Sequence, residues 1–488
     1  MVEMFSPIDE MFSSDTNIND IAEVIDEFAF QPDLLALNEE VEAQSDDDSE
    51  YWTELFSNIP PHQIGVIKSS GKLISNKNLE QLCTEIRTLT NHGLFLPLVI
   101  GGGVQYDQLP SYADSFKVNG LRVTSDVLIK ELVPIAIKNQ YLTVQMLRKF
   151  GVDAVAIPFE HISVKPHGTE YDINRGLVDM GFVGDVTKIW ITYIKSAIEN
   201  GKVPVLSHIG MFKNEFYNVN ATDMARELIL ALEAKKLIIL GETPILNKNG
   251  KIIKTIISRD EFNGFVQDGT IQGGMIVNGR NGFDTLDYLG SDCSVQITAL
   301  VENGSIVSTG ILEELLGKGS GTKLTIPSEV SSFTLDMIDY KILKYMMNNS
   351  FNIYKQSLVD NYFEIIAPRK PNVYIDEKER GGAITYHIKS PQVNFEYICK
   401  LFKQPGYDGL GIGTSLIYHI QREEDRLAWR CDKSKLKELK FYDKIITHYN
   451  GIRVDSKKYV IFGIGIEKEN EDEVFKIINS IEGTLKKE

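Results

Sequence analysis

Between residues 51 and 330, short apolar runs that end in glycine or small polar residues alternate with stretches of helical periodicity. Gly65-Val66-Ile67-Lys68 leads into Ser69-Ser70-Gly71, and Leu96-Pro97-Leu98-Val99-Ile100 leads into Gly101-Gly102-Gly103. Val203-Pro204-Val205-Leu206 and Leu237-Ile238-Ile239-Leu240 are two further strands of this kind. Helices are expected at 78–90, 127–139, 140–150, 186–200 and 221–234. Strands apolar on both faces need cover on both faces, so the alternation predicts an α/β domain with a parallel-rich sheet between helices. Ligands of such sheets bind beyond the carboxyl ends of the strands. Lys68, Gly71, Gly101, Gly102, Gly103, Asn218 and Asn220 fall there.

A chain of 488 residues exceeds what one core usually encloses, so two or three domains are expected. Residues 1–50 hold 16 Asp or Glu and no Lys or Arg, nearly the whole net charge of −17. Beyond them 51 basic side chains face 52 acidic ones, which gives the body no electrostatic case for binding nucleic acid. The segment 1–50 is expected to be an acidic disordered tail, or else a docking peptide for a basic partner. Its acidity is the opposite of a mitochondrial transit peptide, and a cytoplasmic protein is expected. No apolar run approaches the ~20 residues of a membrane span. Cys83, Cys293, Cys399 and Cys431 are scattered without a CxxC pair. They read as reduced thiols, and neither a metal nor a prosthetic group is expected.

Residues 331–488 have a different pattern. A helix is expected at 331–349, a link at 350–362, and strands at 362–367, 373–376, 383–389 and 394–402. Then Asp408-Gly409-Leu410-Gly411-Ile412-Gly413-Thr414 opens into the apolar run Ser415-Leu416-Ile417-Tyr418-His419-Ile420. A strand at 426–431, a helix at 433–442 and a strand at 458–464 complete the region. Alternating glycines let backbone N–H groups converge, and the helix that follows adds its positive end. Gly409, Gly411, Gly413 and Thr414 could thus cradle a pyrophosphate, or form no more than a flexible turn before a helix. No phosphate-binding lysine of Walker type follows.

The motif order of 51–330 resembles the amino-acid kinase fold, in particular N-acetylglutamate kinases and the kinase-like half of N-acetylglutamate synthases. The quotable matches are Val66-Ile67-Lys68-Ser69-Ser70-Gly71, Gly101-Gly102-Gly103-Val104-Gln105, Asn119-Gly120-Leu121-Arg122-Val123-Thr124, Asn218-Val219-Asn220-Ala221, Gly273-Gly274-Met275 and Gly319-Ser320-Gly321-Thr322. The resemblance implies that Arg122 holds a substrate carboxylate, where a residue-level reading gives a surface cation. The glycines equally serve as turns that preserve the fold. Two departures matter. Thr222 stands where the family has a carboxylate, with Asp223 one place late, and Asn278 stands where it has a lysine. Phosphoryl transfer needs charge aimed at the moving phosphate, so the kinase reaction is expected to be lost. The resemblance also implies arginine as a feedback effector, with Glu313, Glu314, Gly319 and Gly321 as candidates.

Region 331–488 resembles the GNAT-like acetyltransferase domain joined to the kinase-like half in vertebrate-type N-acetylglutamate synthases and bifunctional synthase/kinases. Tyr397-Ile398-Cys399-Lys400 resembles Y-L-D-K, Asp408-Gly409-Leu410-Gly411 the end of the acetyl-CoA loop, and Leu427-Ala428-Trp429-Arg430 L-F-W-R. Such a site needs cations for a dicarboxylate, for which Lys400 and Arg430 are candidates, and a proton donor for the leaving thiolate, for which Tyr442 or Tyr397 are candidates. As edge-strand cations, Lys400 and Arg430 would need no ligand. Asp432 departs from the family by replacing an arginine, and Lys435 replaces an asparagine. Lys433 or Lys435 could compensate.

The expectation is an acidic tail (1–50), an inactive amino-acid kinase-like domain (51–330) and an acetyltransferase domain (331–488). The chain would use acetyl-CoA to acetylate glutamate in arginine biosynthesis, as a homo-oligomer. A mitochondrial location is the alternative that the resemblance implies. Two other functions stay open: an acetylglutamate kinase with a regulatory acetyltransferase-like domain, and a non-catalytic partner of an arginine-pathway enzyme.

Overall fold

The structure is a computed structural model and describes residues 59–74, 77–299, 301–303, 306–308, 310–315, 321–351, 356–405 and 411–480. Eight strands build the first sheet: β1 (Gly65–Ser69), β2 (Leu98–Ile100), β3 (Ala154–Ala156), β4 (Val203–Leu206), β5 (Lys236–Leu240), β6 (Thr255–Ile256), β7 (Ser294–Thr298) and β8 (Thr322–Leu324). Their order is β6-β8-β7-β5-β1-β2-β4-β3, and only the β7–β8 pair is antiparallel. β1 and β5 are buried along their whole length, as strands covered on both faces must be. The helices α1 (Lys77–Asn91), α2 (Asp126–Lys149), α3 (Ile191–Glu199), α4 (Ala221–Leu232) and α5 (Gly274–Leu289) connect or cover the strands. Glu85 of α1 is buried, and its carboxylate accepts from the amides of Ile311 and Leu312 at the start of the helix Ile311–Leu315.

The second sheet has seven strands: β9 (Val330–Thr334), β10 (Asn372–Asp376), β11 (Gly381–Ile388), β12 (Phe395–Lys403), β13 (Leu427–Asp432), β14 (Ile452–Asp455) and β15 (Tyr459–Ile464). Their order is β9-β10-β11-β12-β13-β15-β14, antiparallel everywhere except between β12 and β13. α6 (Tyr340–Phe351), α7 (Gln356–Ile366), α8 (Ile412–Glu423), α9 (Leu436–His448) and α10 (Glu471–Ser480) accompany it. The two sheets meet through a polar seam. Asp292 takes Lys378 at 2.6 Å and also Arg380, whose guanidinium lies on the fully buried Asp376 at 2.8 Å. Ser328 N donates to Ser415 Oγ at 3.0 Å.

Several boundaries differ from the sequence expectation. The helices expected at 127–139 and 140–150 are one helix, α2. The polar pair Asn139-Gln140 reads as a break, but both side chains are buried cross-links. Asn139 donates to Gly102 O at 2.8 Å, and Gln140 to Ile157 O and Val205 O at 2.9 and 2.8 Å. The helix expected at 186–200 starts only at Ile191, because the β-branched Val186, Thr187 and Ile189 lie in the strand Gly184–Ile189, which pairs with Ile162–Pro166. The helix expected at 331–349 is the edge strand β9 followed by α6. The strand expected at 362–367 and the link before it are largely helix α7. Val359, Tyr362, Phe363 and Ile366 are buried at helical spacing, which outweighs their aromatic and β-branched character. β14 and α10 were not foreseen. Among the described residues no helix is long and apolar enough to cross a membrane. The acidic segment 1–50, Gly319 and Gly409 lie outside the described residues, as do the side chains of Glu313 and Glu314.

Glycines at the ends of β1 and β2 let two loops touch. A Cβ on Gly71 would lie 1.8 Å from Gly103 N, and Gly103 itself has φ +87°. Gly71→Ala is therefore expected to destabilise the fold by roughly 2 kcal/mol or more. Gly264→Ala, in the helix Arg259–Gln267 with nothing within 4 Å, should stabilise by about 0.5–1 kcal/mol. Urea unfolding of the two variants checks both signs.

Candidate functional sites in the two domains

β12 and β13 pair in parallel at three positions only: Glu396 with Leu427, Tyr397 with Ala428 and Ile398 with Trp429. Both strands continue past that point without pairing to each other, β12 to Lys403 and β13 to Asp432. A wedge opens between them, and its two inner edges have no ladder partner in each other. Such edges can take an extended ligand that carries amides of its own. The wedge starts beside a bulge: Ile384 of β11 pairs with Lys400 but Thr385 pairs with Ile398, which leaves Cys399 as the extra residue. A bulge re-aims the side chains that follow it, here Lys400.

Lys400 and Arg430, expected as the substrate cations, stand at the mouth of this wedge. Lys400 Nζ lies 5.6 and 5.2 Å from the ring centres of Phe351 and Tyr362, and has no hydrogen bond or ion pair among the described residues. Burial, with Lys435 and Arg430 adding like charge, pushes its ammonium down to about 8. Arg430 donates to Ile478 O at 3.3 Å and stacks over Tyr459, its guanidinium carbon 4.7 Å from the ring centre. Tyr397 is buried, and Tyr442 packs against Trp429 and Phe462 at 5.5 and 5.4 Å. Burial pushes both phenols well above their ordinary range, so both hold their protons. Two residues that were given no role from the sequence, Tyr362 and Cys399, complete the wall. Tyr362 donates to Cys399 Sγ at 3.1 Å, and Cys399 to Ile384 O at 3.1 Å. Burial pushes this thiol up to about 11, which suits a structural group better than a nucleophile. Tyr362 was given no site role because it was read into the link and the strand after it.

The glycine loop is described from Gly411 onward. Gly411 has φ +80° and caps α8, whose first turn contains Gly413 and Thr414. Gly413 also serves packing, since a Cβ there would lie 2.9 Å from the Phe441 ring. Asp432, the departure that cast doubt on this site, accepts from Ser434 N and Oγ at 3.0 and 2.9 Å and caps the turn before α9. Those bonds hold its carboxyl below the usual range. Lys433 pairs with Asp455 at 3.0 Å, whereas Lys435 is exposed, with Glu438 4.0 Å away. Of the two compensating lysines, Lys435 is thus the less tied, and its charge reaches Lys400.

At the carboxyl ends of β1, β2 and β4 the other expected residues do come together, but as a closed arrangement. Thr222 Oγ1 donates to Asn278 Oδ1 at 3.0 Å, so the two departures from the family pattern bond to each other. α4 starts regularly, with Asn220 Oδ1 accepting from Thr222 N at 2.8 Å, and no bulge brings Asp223 back. Asp223 faces Arg226 at 4.0 Å instead. Lys68 is buried, has no hydrogen bond or ion pair among the described residues, and is pushed down by burial to about 8. Gly101, Gly102 and Gly103 follow β2, and a Cβ on Gly102 would strike the Tyr106 ring at 2.1 Å. Tyr106 bonds His208 Nε2 at 3.0 Å, and His208 Nδ1 meets Ile100 O at 3.2 Å, which assigns the ring proton to Nδ1. Arg122 gives one nitrogen to Tyr112 O, Ser115 O and Ser115 Oγ at 2.8–3.0 Å, while its buried Nε has no partner. Asn218 donates to Thr124 Oγ1 at 3.1 Å.

Two family models match. Residues 63–280 match the amino acid kinase family, and residues 328–484 match NAT, the N-acetyltransferase of N-acetylglutamate synthase. An acetylglutamate kinase of Xanthomonas campestris pv. campestris is 28% identical over 85% of this chain and 93% of its own length. One of Caldicellulosiruptor bescii is 31% identical over 53% of this chain and 89% of its own length. Among solved structures, N-acetylglutamate synthase of Neisseria gonorrhoeae, complexed with coenzyme A and N-acetyl-glutamate, shares the fold with a TM-score of 0.55 at 16% identity. That match covers 86% of this chain and 98% of the other. The same synthase complexed with coenzyme A and L-arginine gives a TM-score of 0.52 at 17% identity, covering 84% of this chain and 98% of the other. The chain therefore belongs to the amino acid kinase family, in the form that carries behind its kinase-like domain the N-acetyltransferase domain of N-acetylglutamate synthase, which makes it an amino-acid N-acetyltransferase.

Proposed function

We propose that this chain transfers the acetyl group of acetyl-CoA to the α-amine of glutamate, and that its kinase-like domain does not phosphorylate. The observation that supports this best is the wedge between β12 and β13, with Lys400 and Arg430 at its mouth and the N-terminal end of α8 following on. The pantetheine arm lies between the unpaired strand edges, and the first turn of α8 receives the pyrophosphate. The neutral α-amine attacks the thioester carbonyl; a C–N bond forms, the C–S bond breaks, and the proton shed by nitrogen passes to solvent, from which the phenol that protonates the thiolate is later restored. The thiolate takes a proton from a phenol, Tyr442 or Tyr397, which burial keeps protonated. Lys400 and Arg430 hold the glutamate carboxylates. The N-acetylglutamate synthase of Neisseria gonorrhoeae, solved with coenzyme A and with N-acetyl-glutamate or L-arginine, supports these ligands and arginine as an effector here. A homo-oligomer paired through its kinase-like domains, in the cytoplasm, completes the proposal.

The acetylglutamate kinase reading has the curated relatives in its favour. Against it stand Thr222 and Asn278, which put a neutral hydrogen bond where phosphoryl transfer needs charge.

The purified chain is expected to release CoA from acetyl-CoA only when glutamate is present, and to make no acetylglutamyl phosphate with ATP. Lys400→Ala and Arg430→Ala should each lower kcat/KM for glutamate by roughly tenfold or more, the cost of a charge-assisted contact. Glutamate-independent release, or ATP-dependent phosphorylation, would overturn the proposal. A pH series tests Lys400 directly. Its ammonium is charged below about 8 and neutral above. Affinity for N-acetylglutamate, which has no titrating amine, should be constant below that pH and fall about tenfold per pH unit above it. In Lys400→Arg the fall should vanish, as calorimetry would show.

Lys68 predicts an opposite sign for stability. Its folded value lies near 8 against 10.5 unfolded, so below pH 8 the buried charge costs its full desolvation. Lys68→Met should raise stability by up to roughly 3 kcal/mol at neutral pH. The gain should shrink as pH rises from 8 to 10.5, because the folded wild type sheds a proton that the unfolded chain keeps. Urea unfolding at pH 7 and pH 10 measures it.

A further inference from the structure

On the far side of the wedge from Lys400, where β12 and β13 are still paired, three side chains from three elements converge. His387 comes from β11, Glu396 from β12, and Glu424 directly follows α8. One ligand atom from each lies within 4.8 Å of the others. Their burial differs in a way that suits a bound ion. Glu396 is 1% exposed, Glu424 is half-buried, and His387 is open to solvent on one side.

Glu396 carries the second observation. Its Oε1 accepts from Thr385 Oγ1, which fixes the carboxyl group. Its Oε2 is buried without a hydrogen-bond partner and points into the cluster, 3.4 Å from His387 Nδ1. A buried carboxylate oxygen without a donor is costly, and either a proton donor or a cation relieves it. The Glu424 carboxylate has no hydrogen bond or ion pair among the described residues, and its charge lies close enough to Glu396 to act on it. Two carboxylates and one imidazole make a donor set with net charge −2 while the imidazole is neutral.

From this juxtaposition we infer a divalent-cation site of the zinc type, held by His387 Nδ1, Glu396 Oε2 and a Glu424 oxygen. One imidazole and two carboxylates are a known donor set for zinc, with a fourth position left to water. Tetrahedral bonds of about 2.0–2.1 Å place neighbouring ligand atoms roughly 3.3 Å apart. The His387–Glu396 separation already matches, and Glu424, on the chain just beyond a helix end, has to move by about 1.5 Å or less. Thr385 then acts on the ion through Glu396, the kind of outer contact that orients a ligating carboxylate. The site is structural. It ties β11 and β12 to the C-terminal end of α8, so that the helix whose first turn faces the wedge is held at its other end. The inference is independent of the acetyl acceptor and of the kinase-like domain.

The test uses the full chain, stripped with EDTA, and Zn²⁺ alone as the probe. One Zn²⁺ per chain should bind by calorimetry, and it should raise the melting temperature by several degrees. Co²⁺ in its place should give the visible d–d bands of a four-coordinate N/O site. His387→Ala and Glu424→Gln, both at solvent-accessible positions, should each weaken Zn²⁺ binding at least tenfold and abolish the thermal shift, with unchanged circular dichroism. If the wild type binds no tighter than these variants, Glu396 is relieved by a proton shared with His387 or Glu424, and the site is overturned. Equal overturning follows from thiolate-to-Co²⁺ charge-transfer bands, which would put the metal on the cysteines.

Discussion

The acetyltransferase domain depends on where a short parallel ladder stops. Three paired positions hold β12 to β13, and Trp429 ends the ladder. Trp429 is stacked on Phe462 of β15, with ring centres 5.8 Å apart and planes 20° from parallel. That stack lies across the ladder between β13 and β15, which continues to Asp432 after β13 has left β12. Past it, two backbone edges lie open in the middle of a sheet, a place where unpaired amides would otherwise be costly. A ligand that supplies amides of its own would remove the cost, and Lys400 and Arg430 stand just past the end of the ladder, one on each strand. Lys400 has its place because Cys399 is an extra residue in the ladder with β11, and the Tyr362–Cys399–Ile384 hydrogen-bond chain pins that bulge.

In the kinase-like domain the same kind of glycine-ended sheet is retained while the charges are not. Thr222 and Asn278 satisfy each other, the glycine loops fill each other's space, and Lys68 is left charged and alone in the interior. The domain's link to the second sheet runs through Asp292, Arg380 and Asp376, an arrangement in which the buried charges are paired. Removing one partner would strand another, so the seam resists opening more than it adds to stability.

How much was legible follows from the range of the interactions. Four strands of the first sheet, β1, β2, β4 and β5, and the order of its glycine loops could be read directly, because their apolar runs show in local composition; β7 was missed because Ser294, Gln296 and Thr298 break its apolar run although the whole strand is buried. The run 186–200 could not, because helix and strand patterns are both present and only pairing with the strand Ile162–Pro166 decides between them. Asn139 and Gln140 looked like a break because their acceptors, Gly102, Ile157 and Val205, are distant in the chain. Tyr362 looked like strand for the same reason: its burial partners come from β10, β11 and β12. Lys400, Arg430, Tyr397 and Tyr442 were named from resemblance to a family, not from spacing.

The sequence by itself determined the two-part α/β architecture, the family resemblance of each part, and the loss of charge at Thr222 and Asn278, because these rest on residue type and local order. Only the tertiary structure decided what those residues do to one another. It turned Asp432 from a substrate position into a turn cap, set Asp223 beside Arg226, left Lys68 and Lys400 with depressed proton affinities, and brought His387, Glu396 and Glu424 within reach of one ion. Such outcomes depend on distance and desolvation between side chains remote in the chain, and neither is written in the order of the residues.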